Sequence, residues 1–166
     1  MPVHYSEPCD IVVFGGTGDL ALRKLLPALY YLHRDRHLHP DSRILALARA
    51  RHDETDYRRL VQRHLGQYLP PGDFEQATAL ASRPDRIRVF YLATFPELFA
   101  ATAQHLASVG LADDKARIVL EKPLGQSLET ANQINDGIGA VFDEARVFRI
   151  DHYLGKEAVQ NLLALR

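Results

Sequence analysis

Three glycines, Gly15, Gly16 and Gly18, separate the apolar run Ile11, Val12, Val13, Phe14 from a stretch in which Leu20, Leu22, Leu25, Leu26, Leu29 and Leu32 recur mostly at three- and four-residue steps. Four consecutive apolar residues suit a strand buried on both faces, as parallel sheets require, and the spacing that follows is that of a helix. Glycine is the residue that lets a chain turn tightly between two such elements. The stretch therefore predicts strand, turn and helix over residues 10–33. Pro27 interrupts the helical part, because it lacks an N–H and its ring crowds the preceding turn, so a kink or a broken first turn is expected there.

The same alternation continues along the chain. Further strands are predicted at 43–50 (RILALARA), ending near Arg49, and at 87–93, 116–121 and 146–150, with helices at 96–109 and 127–142 and a polar connection at 34–42. Strands alternating with helices imply an α/β, Rossmann-like, doubly wound and mostly parallel sheet. The weakest stretch is 64–86, where Pro70, Pro71 and Gly72 break the chain and leave only a short helical candidate. From Gly155 the pattern is helical to the last residue, and Val159, Leu162, Leu163 and Leu165 give that helix an apolar side with no later element to cover it. The expected organisation is a nucleotide-binding domain over 1–150 and, over 151–166, a short segment beginning a helix toward a partner domain or subunit.

Bulk properties exclude several classes. The chain has 166 residues and a formal net charge of -1, so it carries no electrostatic footprint for nucleic acid or an anionic membrane. No apolar stretch approaches the roughly 18 residues of a membrane span, and the first residues lack a basic segment followed by an apolar core. A lone cysteine, Cys9, forms no internal disulfide and no thiolate metal site, which suits a reducing cytoplasm. His33, His37 and His39 read as a solvated polar turn, and no metal is expected.

Gly16-x-Gly18-x-x-Ala21 fits the dinucleotide-binding fingerprint. Its glycines let backbone approach a pyrophosphate, its small last residue lets helix and strand pack closely, and the helix N-terminus favours the anion. Glycines that serve only the turn are the plainer reading. After the second strand an acidic residue would bind a ribose 2′-hydroxyl, whereas an arginine accommodates a 2′-phosphate. Arg49 and Arg51 stand there, with no carboxylate before Asp53, which favours NADP over NAD unless both are merely solvated.

Two further clusters lie where strands should end. In EKPLG, Glu121 to Gly125, Lys122 either faces a ligand or is a surface lysine at a strand exit, and Gly125 permits a turn. In RIDHYLGKE, Arg149 to Glu157, the groups of Asp151, His152, Tyr153 and Lys156 suit a sugar phosphate: cationic donors, a hydroxyl, and an acceptor or orienting carboxylate. A charged helix start capped by Asp151 is the alternative. A Tyr-Lys pair of the short-chain reductase type would need one more residue between Tyr153 and Lys156.

Taken in order, GGTGDLALRKLLPAL, EKPLG and RIDHYLGKEAVQNLL closely resemble the glucose-6-phosphate dehydrogenase family, over residues 9–166. The resemblance implies oxidation of D-glucose 6-phosphate with NADP+ to 6-phospho-D-glucono-1,5-lactone, the first step of the pentose phosphate pathway. By it, Gly15, Gly16, Thr17, Gly18, Asp19, Leu20 and Ala21 form the coenzyme turn, Arg49 takes the 2′-phosphate, and Lys122 stands between coenzyme and substrate. Lys24, His152, Tyr153 and Lys156 match residues that hold the substrate, and Asp151 matches the carboxylate that orients the catalytic histidine. In that family the histidine base and the subunit interface of the homo-oligomer belong to a later domain, so this chain resembles the coenzyme part alone and little turnover is expected of it; a catalytically inactive NADP-binding module or a truncated remnant is the alternative. Two departures stand out: the connection at 62–84 is shorter than the family's, and Phe95 stands where Pro or Ser is usual.

Overall fold

The computed structural model describes residues 7–49, 53–65 and 86–150. Arg51, the Pro70-Pro71-Gly72 break, the residues Asp151, His152, Tyr153 and Lys156, and the helix expected from Gly155 lie outside them. The chain divides into two compact units after Ala93.

In the first unit, β1 (Cys9–Phe14) pairs in parallel with β2 (Arg43–Leu47) and β3 (Ile87–Leu92), in the order β2-β1-β3. Parallel neighbours need a crossover, and α1 (Leu26–Arg34) and α2 (Glu54–Leu65) lie in the two connections. Ile11 and Val13 of β1 cluster with Ala21, Leu22, Leu26 and Leu29 in the core of this unit. The polar end of β1 is also tied down. The Asp10 carboxylate is buried, with the Arg86 guanidinium 3.3 Å away and the Arg43 Nε 3.6 Å away, so its charge is compensated from β2 on one side and from the residue just before β3 on the other.

In the second unit, β4 (Ala116–Glu121) and β5 (Val147–Ile150) are parallel, with Glu121 opposite Ile150. Before them α3 (Phe99–Ser108), and between them α4 (Leu128–Gly139), bury Phe99, Ala103, Leu106, Ile134 and Ile138. Ser127 starts α4 with a reciprocal cap: its Oγ accepts from Thr130 N (3.2 Å), and Thr130 Oγ1 accepts from Ser127 N (3.0 Å).

These five strands and their helices make the expected α/β, Rossmann-like fold, and the differences are local. Ahead of Pro27 the chain takes one π turn over Ala21–Leu25, in which Leu26 N–H reaches back to Ala21 O. The wider turn is the form that the expected break takes, next to a residue with no N–H to continue the ladder. The second strand ends at Leu47, two residues short of Arg49. A full helix, α2, precedes the stretch in which only a short helical candidate was expected. Its first turn is capped by Asp53, whose Oδ1 accepts from Asp56 N at 2.7 Å.

The helix expected to start at Pro96 opens as a 3-10 turn over Pro96–Leu98. The one expected to reach Phe142 ends at Gly139, after two glycines in three residues, and a turn follows in which Val141 and Phe142 both donate to Ile138 O. Among the described residues no helix is long and apolar enough to cross a membrane.

Candidate functional site

The turn after β1 is fixed by backbone hydrogen bonds to the neighbouring strand. The N–H groups of Gly15 and Gly16 both donate to Leu47 O, at 2.9 and 3.0 Å, and Gly18 N donates to Gly15 O at 2.8 Å. Gly15 has φ 82°, the left-handed region that side chains disfavour, so the tight turn depends on glycine there. Gly16 answers a different demand. A Cβ on it would stand 2.5 Å from Ala46 Cβ and 3.0 Å from Ala46 Cα, so its lack of a side chain lets the turn lie against β2.

Beyond the turn the helix begins with Leu22 N donating to Gly18 O at 3.0 Å, and Ala21 is fully buried where the fingerprint asks for a small residue. Thr17 is half-buried, while Gly18 and Asp19 are exposed. Leu20, Asp19, Arg23 and Lys24 line an open cleft of about 390 Å³ beside the turn. Asp19 and Arg23, four residues apart, form a 3.4 Å ion pair with both ends largely in water.

Arg49 belongs to the same corner. Phe14 pairs with Leu47, so the turn leaves β1 level with the end of β2, and Arg49 follows Leu47 by two residues with an exposed side chain. Gly15 to Ala21, Lys24 and Arg49 are thus gathered at the carboxyl end of β1 and β2, the edge at which ligands bind in such sheets.

One contributor here escaped the sequence reading. From α2, Tyr57 Oη donates to Gly16 O at 2.9 Å, and burial pushes its phenol up to about 12. The available signal was the helical spacing of Tyr57, Leu60 and Val61 behind the capping residue Asp53.

In the second unit, Lys122 is exposed at the carboxyl end of β4, and its backbone N–H donates to Ile150 O at 3.1 Å. Gly125 lies among the bends between β4 and α4, without a positive φ, and a Cβ on it would sit 2.6 Å from Thr130 Oγ1 and 2.8 Å from Ala131 N. Close approach to the start of α4 is what demands glycine there. Arg149 opens the RIDHYLGKE motif with its guanidinium engaged. It donates to both carboxylate oxygens of Glu144, at 2.5 and 3.1 Å, and to Asn135 Oδ1, at 3.2 and 3.1 Å. These hydrogen bonds hold the Glu144 carboxyl below its ordinary range. The four substrate-motif residues after Ile150 are outside the described residues.

Comparison with known proteins gives one consistent result. The family model for the NAD-binding domain of glucose-6-phosphate dehydrogenase matches residues 12–83 and 72–161. The glucose-6-phosphate 1-dehydrogenases of Mycolicibacterium smegmatis and Rhizobium meliloti are 43% and 41% identical to the chain, each over 96% of it and 38% of their own length. A solved glucose-6-phosphate dehydrogenase in complex with its substrate glucose-6-phosphate superposes with a TM-score of 0.81 at 29% identity, over 100% of this chain and 41% of that one. The enzyme from Mycobacterium avium gives 0.80 at 29%, over 96% and 39%. The chain thus spans about two fifths of the length of these relatives. The match to the Mycolicibacterium protein extends over 190 residues, more than the 166 of this chain, so that relative carries additional residues within the matched span. The two pieces of the family match meet at 72–83, inside the connection that reads as short.

Proposed function

This chain belongs to the glucose-6-phosphate dehydrogenase family, in its NAD-binding part, and on that premise we propose that its glycine turn binds NADP+ for the oxidation of D-glucose 6-phosphate to 6-phospho-D-glucono-1,5-lactone. The observation that carries the reading is the shared Leu47 carbonyl. By accepting from Gly15 and Gly16 it sets the pyrophosphate turn level with the end of β2, two residues before Arg49. A dinucleotide lying with its pyrophosphate on the turn then has its adenosine ribose toward Arg49, whose guanidinium suits a 2′-phosphate.

The residues fit that ligand physically. Gly18 leaves the crest of the turn without a side chain, and no carboxylate follows β2 before Asp53 to repel a second phosphate. Lys24, on the cleft beside the turn, and Lys122, at the end of β4, are assigned to the sugar phosphate side, together with His152, Tyr153 and Lys156. Asp151 is assigned to orienting an imidazole base, with Lys122 between coenzyme and substrate. The bound coenzyme would supply the hydride acceptor, and the contribution of these residues is to bind and orient. The same reading puts the protein in a reducing cytoplasm, in keeping with one cysteine in 166 residues.

Parallel calorimetric titrations of the full chain with NADP+ and NAD+ test this. NADP+ is expected to bind more tightly, and Arg49→Ala to weaken NADP+ by about tenfold or more while leaving NAD+ nearly unchanged, because a charged hydrogen-bonding partner of the extra phosphate is lost. Equal losses for both coenzymes would overturn the role of Arg49. Binding of neither by the unaltered chain would overturn the coenzyme assignment.

A further inference from the structure

We propose that Tyr57 is a positioning residue for the coenzyme turn, acting through the Gly16–Thr17 peptide to aim the Thr17 N–H at a phosphate of the bound dinucleotide. The proposal rests on the coenzyme reading above and adds to it a residue from outside the fingerprint.

The geometry follows from the planarity of one peptide. Gly16 is held at both of its polar groups, its N–H by Leu47 O at 3.0 Å and its C=O by Tyr57 Oη at 2.9 Å. The bond to Thr17 is trans, since the only cis peptide among the described residues is Lys122–Pro123. In a trans peptide the C=O and the following N–H point in opposite directions. Fixing the Gly16 carbonyl toward α2 therefore fixes the Thr17 N–H away from α2, on the side of the turn opposite the phenol.

Tyr57 is itself well anchored. Its N–H donates to Asp53 O at 3.0 Å in the first turn of α2, where Asp53 also caps Asp56. The hydroxyl would lie 3.3 Å from a Cβ on Gly16, so the phenol closes over the flank of the turn where any side chain would intrude. Burial keeps the phenol protonated far above neutral pH, so it stays a donor under all ordinary assay conditions. Phenylalanine would fill the same space and leave the carbonyl without this partner. The backbone would then be free to rotate that peptide, and the preorganised donor would be lost.

The test compares the full chain with Tyr57→Phe by calorimetric titration with NADP+ and NAD+. The expected result is about fivefold weaker binding of each coenzyme by the same factor, the size of one neutral hydrogen bond expressed in affinity, with unchanged stoichiometry. A purely structural role would lower the stoichiometry or the melting temperature and leave the dissociation constant of the folded fraction where it was. Equal affinity in the two proteins would overturn the role of Tyr57 and leave the coenzyme reading standing. Failure of the unaltered chain to bind either coenzyme would overturn that reading and this proposal with it. A second measurement needs no variant: on titration of the unaltered chain with NADP+, the amide resonance of Thr17 should shift and its hydrogen exchange should slow. An amide that saturating NADP+ leaves unmoved would overturn the proposal.

Discussion

Gly16 and Ala46 face each other so closely that a methyl on Gly16 would lie 2.5 Å from the methyl of Ala46. Neither partner has a flexible end to move aside, because the second contact, at 3.0 Å, is to the Ala46 backbone. Gly16→Ala must therefore push the turn off β2, lengthening its hydrogen bonds to Leu47 O. The expected cost is about 1–3 kcal/mol, the usual range for overpacking a filled site. Thermal melting should show it, and coenzyme affinity should fall with it. Ala46→Gly in the same chain should recover part of the loss, since it removes the nearer contact and leaves the farther one.

The cap of α4 gives a more local prediction. Ser127 and Thr130 satisfy each other's backbone N–H groups at the start of the helix. Replacing Ser127 by Ala removes one acceptor and should cost about 1 kcal/mol. Replacing it by Asp should cost little, because a carboxylate accepts the same N–H and suits the helix dipole. Melting temperatures of the two variants check this. Equal losses would mean that the cap contributes by packing rather than by its oxygen.

What the sequence made legible divides by distance along the chain. The turn at Gly15 to Ala21, the bounds of β4 and the start of α4 at Ser127 are set by neighbours within a few residues, so periodicity and cap chemistry located them. Gly16 was recognised as part of a fingerprint, but its actual constraint is Ala46, which sits beside the turn only because β1 and β2 pair with Val13 opposite Ala46. Tyr57 was missed for the same reason, since its hydroxyl meets Gly16 O only once α2 has packed beside the turn. Asp10 read as a strand residue and nothing more. Its burial against Arg43 and Arg86 depends on two strand pairings that no local pattern encodes. The turn chemistry of Pro27 was legible as a break and not as a π turn, because the missing N–H says only that the ladder fails there.

Acid should weaken the second unit through Glu144. Its hydrogen bonds to Arg149 hold the folded carboxyl below the usual 4.5, so the pair contributes stability that is present above that value and is lost as pH falls through the lowered one. Glu144→Gln keeps the shape and removes the charge. The melting temperature of the unaltered chain should exceed that of the variant at neutral pH, and the gap should close on titration into acid. Because the carboxylate is largely in water, the gap should be small and should shrink with added salt. A gap that stays constant from neutral pH into strong acid would mean that Glu144 contributes by its shape and not by its charge, and no gap at any pH that Arg149 is held by Asn135 instead.

Base should act on the first unit through Tyr57, with the opposite sign. Burial raises the folded phenol from 10.0 to about 12, so the protonated form is the one the fold prefers. Stability from this group is fully present below pH 10 and is lost as pH rises toward 12, because the unfolded chain releases its proton first. Tyr57→Phe has no proton to release at this position. Between pH 8 and pH 11, about the working range that brackets the free phenol, the unaltered chain should therefore lose melting temperature faster than the variant, with the two curves parallel at the neutral end. Parallel curves throughout would mean that the phenol ionises as easily in the folded chain as in the unfolded one. The hydrogen bond to Gly16 would then be too exposed to hold the turn in the way its 2.9 Å length implies.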